Sequence, residues 1–309
     1  MLSVTPTLII AEFERRGMEC NPVASLSPKT VLEFVDAQGA RRYIHGCVTD
    51  KCSGTSGRIV DDKLVTAAIA QRIGMPVPDT VRYESMDVAR EFLQRHGRIV
   101  VKPLDSAHGN GVSVGIDTED KLKAAIESAQ QYSDVVLLQQ MVFGKDVRLL
   151  YIGNEFCAAS ERRPAGVTGD GVKTIRELIE QVNLHPERGE NYQKKYNRIP
   201  LDVSGVFLAE RMDTVPANGE EIQVIGTANI GSGGAAIDMT DSLPAELIEQ
   251  GRQLADELRA GVCGVDFIVG PEGHYLIEAN ASPSFGLHHY PHEGQPRDVT
   301  ARFVDWLLA

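Results

Sequence analysis

The residues best suited to hold a metal ion are Asp266, Glu278 and Asn280. Two carboxylates and an amide oxygen are hard ligands, the kind that Mg²⁺ prefers when phosphate and water complete its shell. The same residues also fit an ordinary hairpin that carries solvated acids, so the spacing alone leaves both interpretations open.

A β-hairpin should position these residues. The runs GVDFIV and HYLIEAN flank the turn residues 271–273, and both have the composition of strands. A period of two places four side chains on one face of the second strand, with Asp266 nearby on its partner. These four are His274, Leu276, Glu278 and Asn280.

Two lysines are candidates for contacts with phosphate. Lys102 ends the apolar strand RIVVKP before the glycine-bearing loop LDSAHGN, whose backbone N–H groups could close over phosphate oxygens. Lys63 stands at the start of a predicted helix, where the dipole disfavours a cation unless an anion is nearby. Surface lysines beside a flexible turn explain the pattern equally well, since the spacing matches neither the P-loop nor the dinucleotide fingerprint.

The strand Val135 to Gln140 runs into a turn that contains Gly144 and Asp146. Such a strand can present backbone groups to the edge of an adenine, and Asp146 could accept hydrogen bonds from ribose hydroxyls. This segment is therefore a candidate for holding a nucleoside.

Composition excludes several classes of function. The 309 residues are 42% hydrophobic and 24% charged, which is typical of a globular domain, and the net charge of -12 argues against nucleic acid or an anionic membrane as partner. The N-terminus fits neither a signal peptide nor a membrane span, so a cytoplasmic location is expected. Five scattered cysteines predict no disulfide framework, and His45, Cys47 and Cys52 match no standard zinc signature.

Hydrophobic periodicity predicts short alternating helices and strands without an internal repeat or a long linker. Helices are predicted over 8–16, 61–74, 119–131, 173–184 and 244–260, with a last helix that contains Val299, Phe303 and Trp306. Strands are predicted at 30–35, 98–103, 111–116 and 135–140, followed by a hairpin of VRLLYIG and EFCAAS around Gly153 and Asn154. The segment CSGTSGR is expected to be a turn.

The order of these parts resembles the ATP-grasp superfamily of carboxylate-amine ligases. The matching segments run from about Val60 to the C-terminus: DDKLVTAAIAQRIGMPVP, VVKPLDSAHGNGV, LLQQMVFGKDVRLLYIGN, and GVCGVDFIV with LIEANASP. Within it, ERRPAGVTGDGVKTIRELIEQVN, TANIGSGGAAIDMTD and GLHHYPHEGQPRDVT look most like the ATP-grasp part of cyanophycin synthetase and the glutathione-forming domain of bifunctional bacterial enzymes.

Three departures qualify the resemblance. The family often has an acid where Gln139 stands, so the adenine contact would run through the glutamine side chain or the backbone. The N-terminal region is shorter than a full leading domain. Nothing resembling the Mur-ligase-like half of cyanophycin synthetase follows Ala309, so repeated polymer extension by this chain alone is not expected.

The resemblance implies an α+β ATP-grasp fold in which two α+β subdomains clasp ATP. We expect a shortened N-terminal α/β piece over residues 1–57 and an ATP-grasp domain over 58–309. Within that domain, the small lid subdomain would cover about 75–143 and the central metal-binding subdomain about 144–309.

The resemblance also implies roles for individual residues. ATP would be held by Lys63, Lys102, His108, Gly109, Gly111, Gln139, Gln140, Met141, Val142 and Asp146, and magnesium by Asp266, Glu278 and Asn280. Three arginines could stabilise the transferring phosphoryl group and a later oxyanion, namely Arg148, Arg162 and Arg163. The last two also fit a solvated surface pair. Substrate candidates are Asn229, Ser232, Gly233 and Gly234 in a glycine cluster, and Ser282, Ser284 and His288 after the metal strand.

The expected function is ligation of a carboxylate to an amine through an acylphosphate, with ATP and two Mg²⁺ ions, for which Mn²⁺ could substitute. Amino acids or short peptides are the expected substrates, with no nucleic-acid or membrane partner, and a homo-oligomer is compatible with the sequence. The alternatives are a non-catalytic ATP-binding sensor or partner module, and an ATP-grasp phosphotransferase or acyl-CoA ligase.

Overall fold

The computed structural model describes residues 2–24, 30–105, 110–201, 211–271 and 273–309. The helices are α1 Val4–Arg15, α2 Gly54–Asp61, α3 Lys63–Arg72, α4 Met86–His96, α5 Glu119–Gln130, α6 Ile175–Asn183, α7 Ala245–Leu258, α8 Gly286–His289 and α9 Val299–Leu308, with a 3₁₀ turn at Ile230–Ser232. The strands are β1 Cys20–Pro22, β2 Val31–Val35, β3 Arg41–His45, β4 Thr80–Arg82, β5 Ile99–Pro103, β6 Ser113–Ile116, β7 Val136–Gln140, β8 Lys145–Ile152, β9 Glu155–Arg163, β10 Gly166–Thr168, β11 Arg188–Gly189, β12 Tyr196–Asn197, β13 Glu221–Gln223, β14 Ala235–Asp238, β15 Val262–Gly270 and β16 Gly273–Asn280.

A five-stranded antiparallel sheet, in the order β14-β9-β8-β15-β16, is the central layer of the molecule. The predicted hairpin of β8 and β9 is confirmed, and Gly153 and Asn154 both have positive φ, as a two-residue turn of type I′ requires. One face of the sheet buries Tyr151 and Phe267 against α7. The opposite face carries polar side chains such as Arg148 and, around Leu150, part of a second buried core.

A second antiparallel sheet, in the order β4-β7-β5-β6, stands apart from the first. Its core includes Val101 and Leu138, which pack against Phe92 of α4 and Leu122 of α5. The predicted strand that carries Lys102 is confirmed as β5, whose last residue is Pro103. Lys102 lines the cavity described below.

The N-terminal strands β1, β2 and β3 form a third antiparallel sheet. Ile9 and Phe13 of α1 share one buried core with Leu150 of the central sheet and with Phe303 of α9. The N-terminal region is therefore fastened to the central sheet by a common hydrophobic core.

The expectation of a turn at CSGTSGR is wrong, because Gly54–Asp61 forms α2. Ser53 caps this helix by accepting a hydrogen bond from the Thr55 N–H, and the Ser56 hydroxyl donates to the Leu258 carbonyl. Burial of Ser56 and Val60 thus overrides the low helix propensity of two glycines.

The expectation that His274, Leu276, Glu278 and Asn280 share a face is also wrong. Asp266 pairs with Glu278 but its neighbour Phe267 pairs with Leu276, so Ile277 forms a β-bulge. His274 and Leu276 therefore lie on the core side with Phe267, whereas Glu278 and Asn280 lie on the polar face with Asp266.

Within the described ranges, no helix has the length and apolar character needed to cross a bilayer. All five cysteines are free thiols.

Candidate active site

A row of five side chains crosses the polar face of the central sheet, one from each strand. The register pairs Asp238 with Ser160, Ser160 with Arg148, Arg148 with Asp266, and Asp266 with Glu278. Because directly paired residues point to the same face, these five side chains form a continuous line, here called the arginine row.

Asp266 is the centre of the arginine row and is 1% exposed. Arg148 donates to both of its carboxylate oxygens, at 2.7 and 2.6 Å, and Arg162 approaches one of them at 2.9 Å. Burial alone would raise the pKa of Asp266, but the guanidinium charges of Arg148 and Arg162 outweigh it and hold the pKa at about 2. The carboxylate is therefore ionised and fully engaged by arginine.

Asp146 lies beside the row and is paired with Arg162 by hydrogen bonds of 2.7 and 2.6 Å. Burial raises the pKa of Asp146 to about 6, although the charge of Arg162 opposes the shift. Burial lowers the pKa of Arg162, but Asp266 and Asp146 together raise it above its ordinary value. The side chain expected to contact ribose thus binds an arginine in this structure.

Glu278 and Asn280 have the oxygens that are open to a metal ion. The Glu278 side chain is 33% exposed and reaches Arg148 only at 3.9 Å. The Asn280 amide nitrogen donates to Asp266 at 3.3 Å, so its amide oxygen has no partner in the described part of the chain. The described residues hold no cluster of three or more His, Cys, Asp or Glu, so a metal here would be held by two carboxylates and one amide, with Asp266 releasing an arginine contact.

Lys102 lies on the second sheet, of order β4-β7-β5-β6, which is here called the facing sheet. It is almost completely buried, with 5% of its surface exposed. Its Nζ donates to the Gln139 side-chain oxygen at 2.9 Å, and the Gln139 amide donates to the Thr80 hydroxyl at 3.0 Å. Burial lowers the pKa of Lys102 to about 8, which the charge of Glu278 opposes and the charge of Lys63 reinforces. A negatively charged group in addition to Glu278 would therefore be attracted to Lys102.

Lys63 is the first residue of α3, as predicted, and its Nζ donates to the Leu104 carbonyl at 2.8 Å. Lys63, Lys102, Gln139, Thr80 and Ile277 line one narrow cavity between the facing sheet and the hairpin of β15 and β16, here called the lysine cavity. The lysine cavity and the candidate metal site at Glu278 are thus adjacent, because Ile277 lines the cavity and precedes Glu278 in the chain.

The other residues expected to bind the nucleotide lie in different surroundings from one another. Gln140 accepts a hydrogen bond from the Asp79 N–H at 3.3 Å, and Met141 donates its N–H to the Arg98 carbonyl. Gly111 has a φ of +71°, and a Cβ there would approach Tyr132 to 2.7 Å. Val142 is half-buried after the end of β7. His108 and Gly109 lie outside the described residues.

Arg162 and Arg163 lie on opposite faces of β9, since neighbouring residues of a strand alternate. Arg163 is paired with Glu161 at 2.8 Å and with Glu293 at 3.3 Å, and 45% of its side chain is exposed. Only Arg148 and Arg162 therefore stand together at Asp266.

The glycine cluster at 231–234 is packed against other segments of the chain. A Cβ at Gly233 would lie 2.7 Å from Ile199, and one at Gly234 would lie 2.6 Å from the Arg163 carbonyl. Asn229 accepts a hydrogen bond from the Gly231 N–H, and Ser232 ends the 3₁₀ turn. Close packing of the backbone thus accounts for glycine at these positions.

The substrate candidates that follow β16, the strand of Glu278 and Asn280, are held inside the fold. Ser282 accepts a hydrogen bond from the Cys47 N–H at 3.1 Å, and Ser284 accepts one from the Gly286 N–H at 3.3 Å. His288 is 2% exposed, and neither ring nitrogen has a hydrogen-bond partner among the described residues. Burial, together with the charge of Arg148, lowers the pKa of His288 to about 3, so its imidazole is neutral.

Sequence analysis missed Thr80, Ser160, Asp238 and Tyr192. A period of two counted from Arg162 along β9 would have found Ser160, whereas Thr80 and Asp238 lie on short strands with weak patterns. Tyr192 has a φ of +58°, and its hydroxyl lies where a Cβ on Gly231 would meet it at 2.5 Å. No local pattern predicts that conformation for an aromatic residue.

The chain is similar to several known proteins. Residues 62–174 match the family model for the ATP-grasp domain of prokaryotic glutathione synthetase. The chain is 31% identical to the cyanophycin synthetase of Trichormus variabilis over 97% of its own length and 34% of that protein. It is 28% identical to the bifunctional glutathione biosynthesis protein of Clostridium perfringens over 99% of its length and 41% of that protein. The chain thus spans well under half of either relative.

Two solved structures have a similar fold. The bifunctional glutathione synthetase of Pasteurella multocida superposes with a TM-score of 0.69 and 25% identity, over 99% of this chain and 43% of that one. The D-alanine–D-alanine ligase of Bacillus anthracis superposes with a TM-score of 0.53 and 14% identity, over 83% of this chain and 69% of that one.

Proposed function

We propose that this chain, an ATP-grasp protein related to cyanophycin synthetase and to bifunctional glutathione synthetases, is itself a ligase that joins a carboxylate to an amine at the expense of ATP. The predicted fold and the predicted relationship are both confirmed. The reaction, its metal and its substrates are inferred from the site.

The observation that carries the proposal is the contact between two charged regions across Ile277 and Glu278. The lysine cavity offers Lys63 and Lys102 to phosphate oxygens. The arginine row begins at Glu278 and continues to Arg148, which is buried beside Asp266. A nucleotide whose phosphates leave the lysine cavity at Glu278 would therefore point its γ-phosphate at the arginines.

The residues would divide the reaction as follows. A substrate carboxylate attacks the γ-phosphorus, the bond to ADP breaks, and an acylphosphate forms; an amine then attacks the acyl carbon, loses a proton and displaces phosphate. Lys63 and Lys102 would hold the phosphates, while Arg148 and Arg162 would stabilise charge on the phosphoryl oxygens and on the later oxyanion. Magnesium held by Glu278, Asn280 and Asp266 would neutralise phosphate charge and orient the leaving group.

In this proposal the candidates at and just after the end of β7 keep their expected roles. Gln139 through its side chain, and Gln140, Met141 and Val142 through the strand end, would face the adenine. Asp146 would reach the ribose only after leaving Arg162, and the arginine so released could turn to phosphate.

The test is release of ADP from ATP and Mg²⁺ by the purified chain with a matrix of amino acids and short peptides. We expect release that needs both a carboxylate and an amine, with hydroxylamine trapping the acylphosphate when the amine is omitted. Glu278→Gln should lower kcat/KM at least about 100-fold, because it removes a charge that acts on the transferring phosphoryl group.

Glu246→Gln is the matched control, since Glu246 is exposed on α7 and lies outside the site. Nucleotide binding without ADP release for any pair of substrates would favour the sensor instead. Equal rates in the Glu278→Gln and wild-type proteins would refute the metal assignment.

A further inference from the structure

Arg188 is an unusual cation in this acidic chain. Among the arginines in the described ranges, it alone is sheltered from solvent yet has no carboxylate within 4 Å. Neighbouring cations differ, since Lys195 pairs with Glu187 and Arg198 with Glu190. Burial lowers the pKa of Arg188, so holding its charge there costs free energy, and no carboxylate among the described residues lies within ion-pair distance to offset that cost.

Two aromatic side chains stand around this guanidinium. Arg188 lies over the ring of Tyr196, 5.9 Å from its centre, and one N–H donates to the Asn197 carbonyl at 2.6 Å. The His292 ring packs on the same tyrosine with 4.3 Å between ring centres. A guanidinium has five N–H groups, so Arg188 retains donors for a second partner.

His292 adds another donor to this place. Its Nδ1 accepts a hydrogen bond from the Ala236 N–H at 3.1 Å, so in the neutral ring the proton is on Nε2. Nε2 has no partner among the residues that the structure describes, and His292 is exposed. Arg188 and His292 therefore both offer N–H groups beside the ring of Tyr196, and a carboxylate can accept hydrogen bonds from two such donors.

This donor group lies on the active-site side of the central sheet. The backbone around His292 and Glu293 pairs with β14, at Ala236 and Ile237. Glu293 binds Arg163 on the far face, so His292 belongs to the face of Arg162. Ala236 is directly opposite Arg162 in the register.

The distance between the donor group and Arg162 sets the length of a ligand that could contact both. Neighbouring strands lie about 4.8 Å apart, so two steps separate the backbone of His292 from the backbone of Arg162 by about 10 Å. An extended peptide spans about 3.4 Å per residue, so about three residues cover that distance. A free amino acid is too short.

We propose that Arg188, Tyr196 and His292 form a subsite for the C-terminal carboxylate of a short peptide, which presents its amino group near Arg148 and Arg162. This inference rests on the proposed ligase activity for the fate of the amine, but not for the carboxylate contact itself. The acceptor would accordingly be a peptide of about three residues.

The test is calorimetric binding to the whole chain, with Mg²⁺ and a non-hydrolysable ATP analogue. The probes are tri-alanine, tri-serine and tri-leucine, each as the free acid and as the C-terminal amide. We expect at least one acid to bind at least about 10-fold more tightly than its amide, because a charge-assisted pair is lost in the amide. Arg188→Met should abolish the acid preference, and Arg198→Met, an exposed neighbour, should preserve it.

Three results would overturn the subsite. Acid and amide of every probe could bind equally to the wild type, no probe could bind, or Arg188→Met could weaken acid and amide by the same factor, as a structural role of Arg188 would. The outcome is separable from the proposed function: an acid preference in a protein that never releases ADP would refute the ligase and retain the subsite.

Discussion

The lysine cavity and the arginine row both contain buried or half-buried cations, but the protein neutralises these cations differently. Within the described ranges, the one hydrogen-bond partner of the buried Lys102 is a neutral amide, whereas Arg148 is held by both oxygens of an ionised carboxylate. Lys102 therefore carries a charge that awaits an anion, while the arginine row is already compensated. A ligand gains energy directly at the first place and must compete with Asp266 at the second.

The largest expected effect tests the compensation at the arginine row. Arg148→Met removes the main partner of a carboxylate that is 1% exposed, so the free energy of unfolding should fall by about 3–5 kcal/mol, as measured by urea denaturation. Arg95→Met is the control, because both side chains of its pair with Glu91 are exposed, and such a pair is worth about 1 kcal/mol or less. Equal losses in the two variants would contradict the difference between the buried and exposed arginines.

The next effect tests the uncompensated charge of Lys102. Its pKa is about 8 in the folded chain and 10.5 as an ordinary lysine, so between these pH values the unfolded chain holds a proton that the folded chain has lost. Stability should therefore rise with pH over this window, by up to about 3 kcal/mol at about 1.4 kcal/mol per pKa unit. Urea denaturation at pH 8 and 10.5 should show this rise in the wild type relative to Lys102→Met. Parallel changes in both proteins would show that Lys102 is not strained by burial.

The smallest effect concerns the amide that supports Lys102. Gln139→Leu leaves the ammonium without its hydrogen-bond acceptor, so we expect a loss of about 1–3 kcal/mol in the free energy of unfolding at pH 7. Gln140→Leu serves for comparison, because that side chain only accepts a 3.3 Å bond at an exposed position and should matter by about 0.5 kcal/mol. If the two leucine variants were equally stable, the Gln139 contact would have no energetic role.

Local pattern predicted much of the fold. The glycine and asparagine of the β8–β9 turn, the helix that begins at Lys63 and the strand that contains Lys102 all follow from short-range rules. The relationship to ATP-grasp proteins depended on several such segments in order. None of them required knowledge of contacts between distant residues.

The features that the sequence pattern did not predict depend on contacts between residues far apart in the chain. The bulge at Ile277 changes which residues face the site, and it is seen only in the register with β15. Helix α2 forms in a glycine-rich segment because Ser56 reaches Leu258. The pairing of Asp146 with Arg162 joins two strands, and no spacing along the chain specifies it.

The common core of α1 and α9 has a consequence for folding. Ile9 and Phe13 bury their surface against Phe303, nearly the whole chain away in sequence. During synthesis, α1 must wait without this partner until residues 299–308 have left the ribosome, and loop closure over such a separation is entropically slow. Phe13 also packs on Phe34 of β2, so α1 can settle early on its own sheet, whereas the contact of α1 with α9 should be among the last to form.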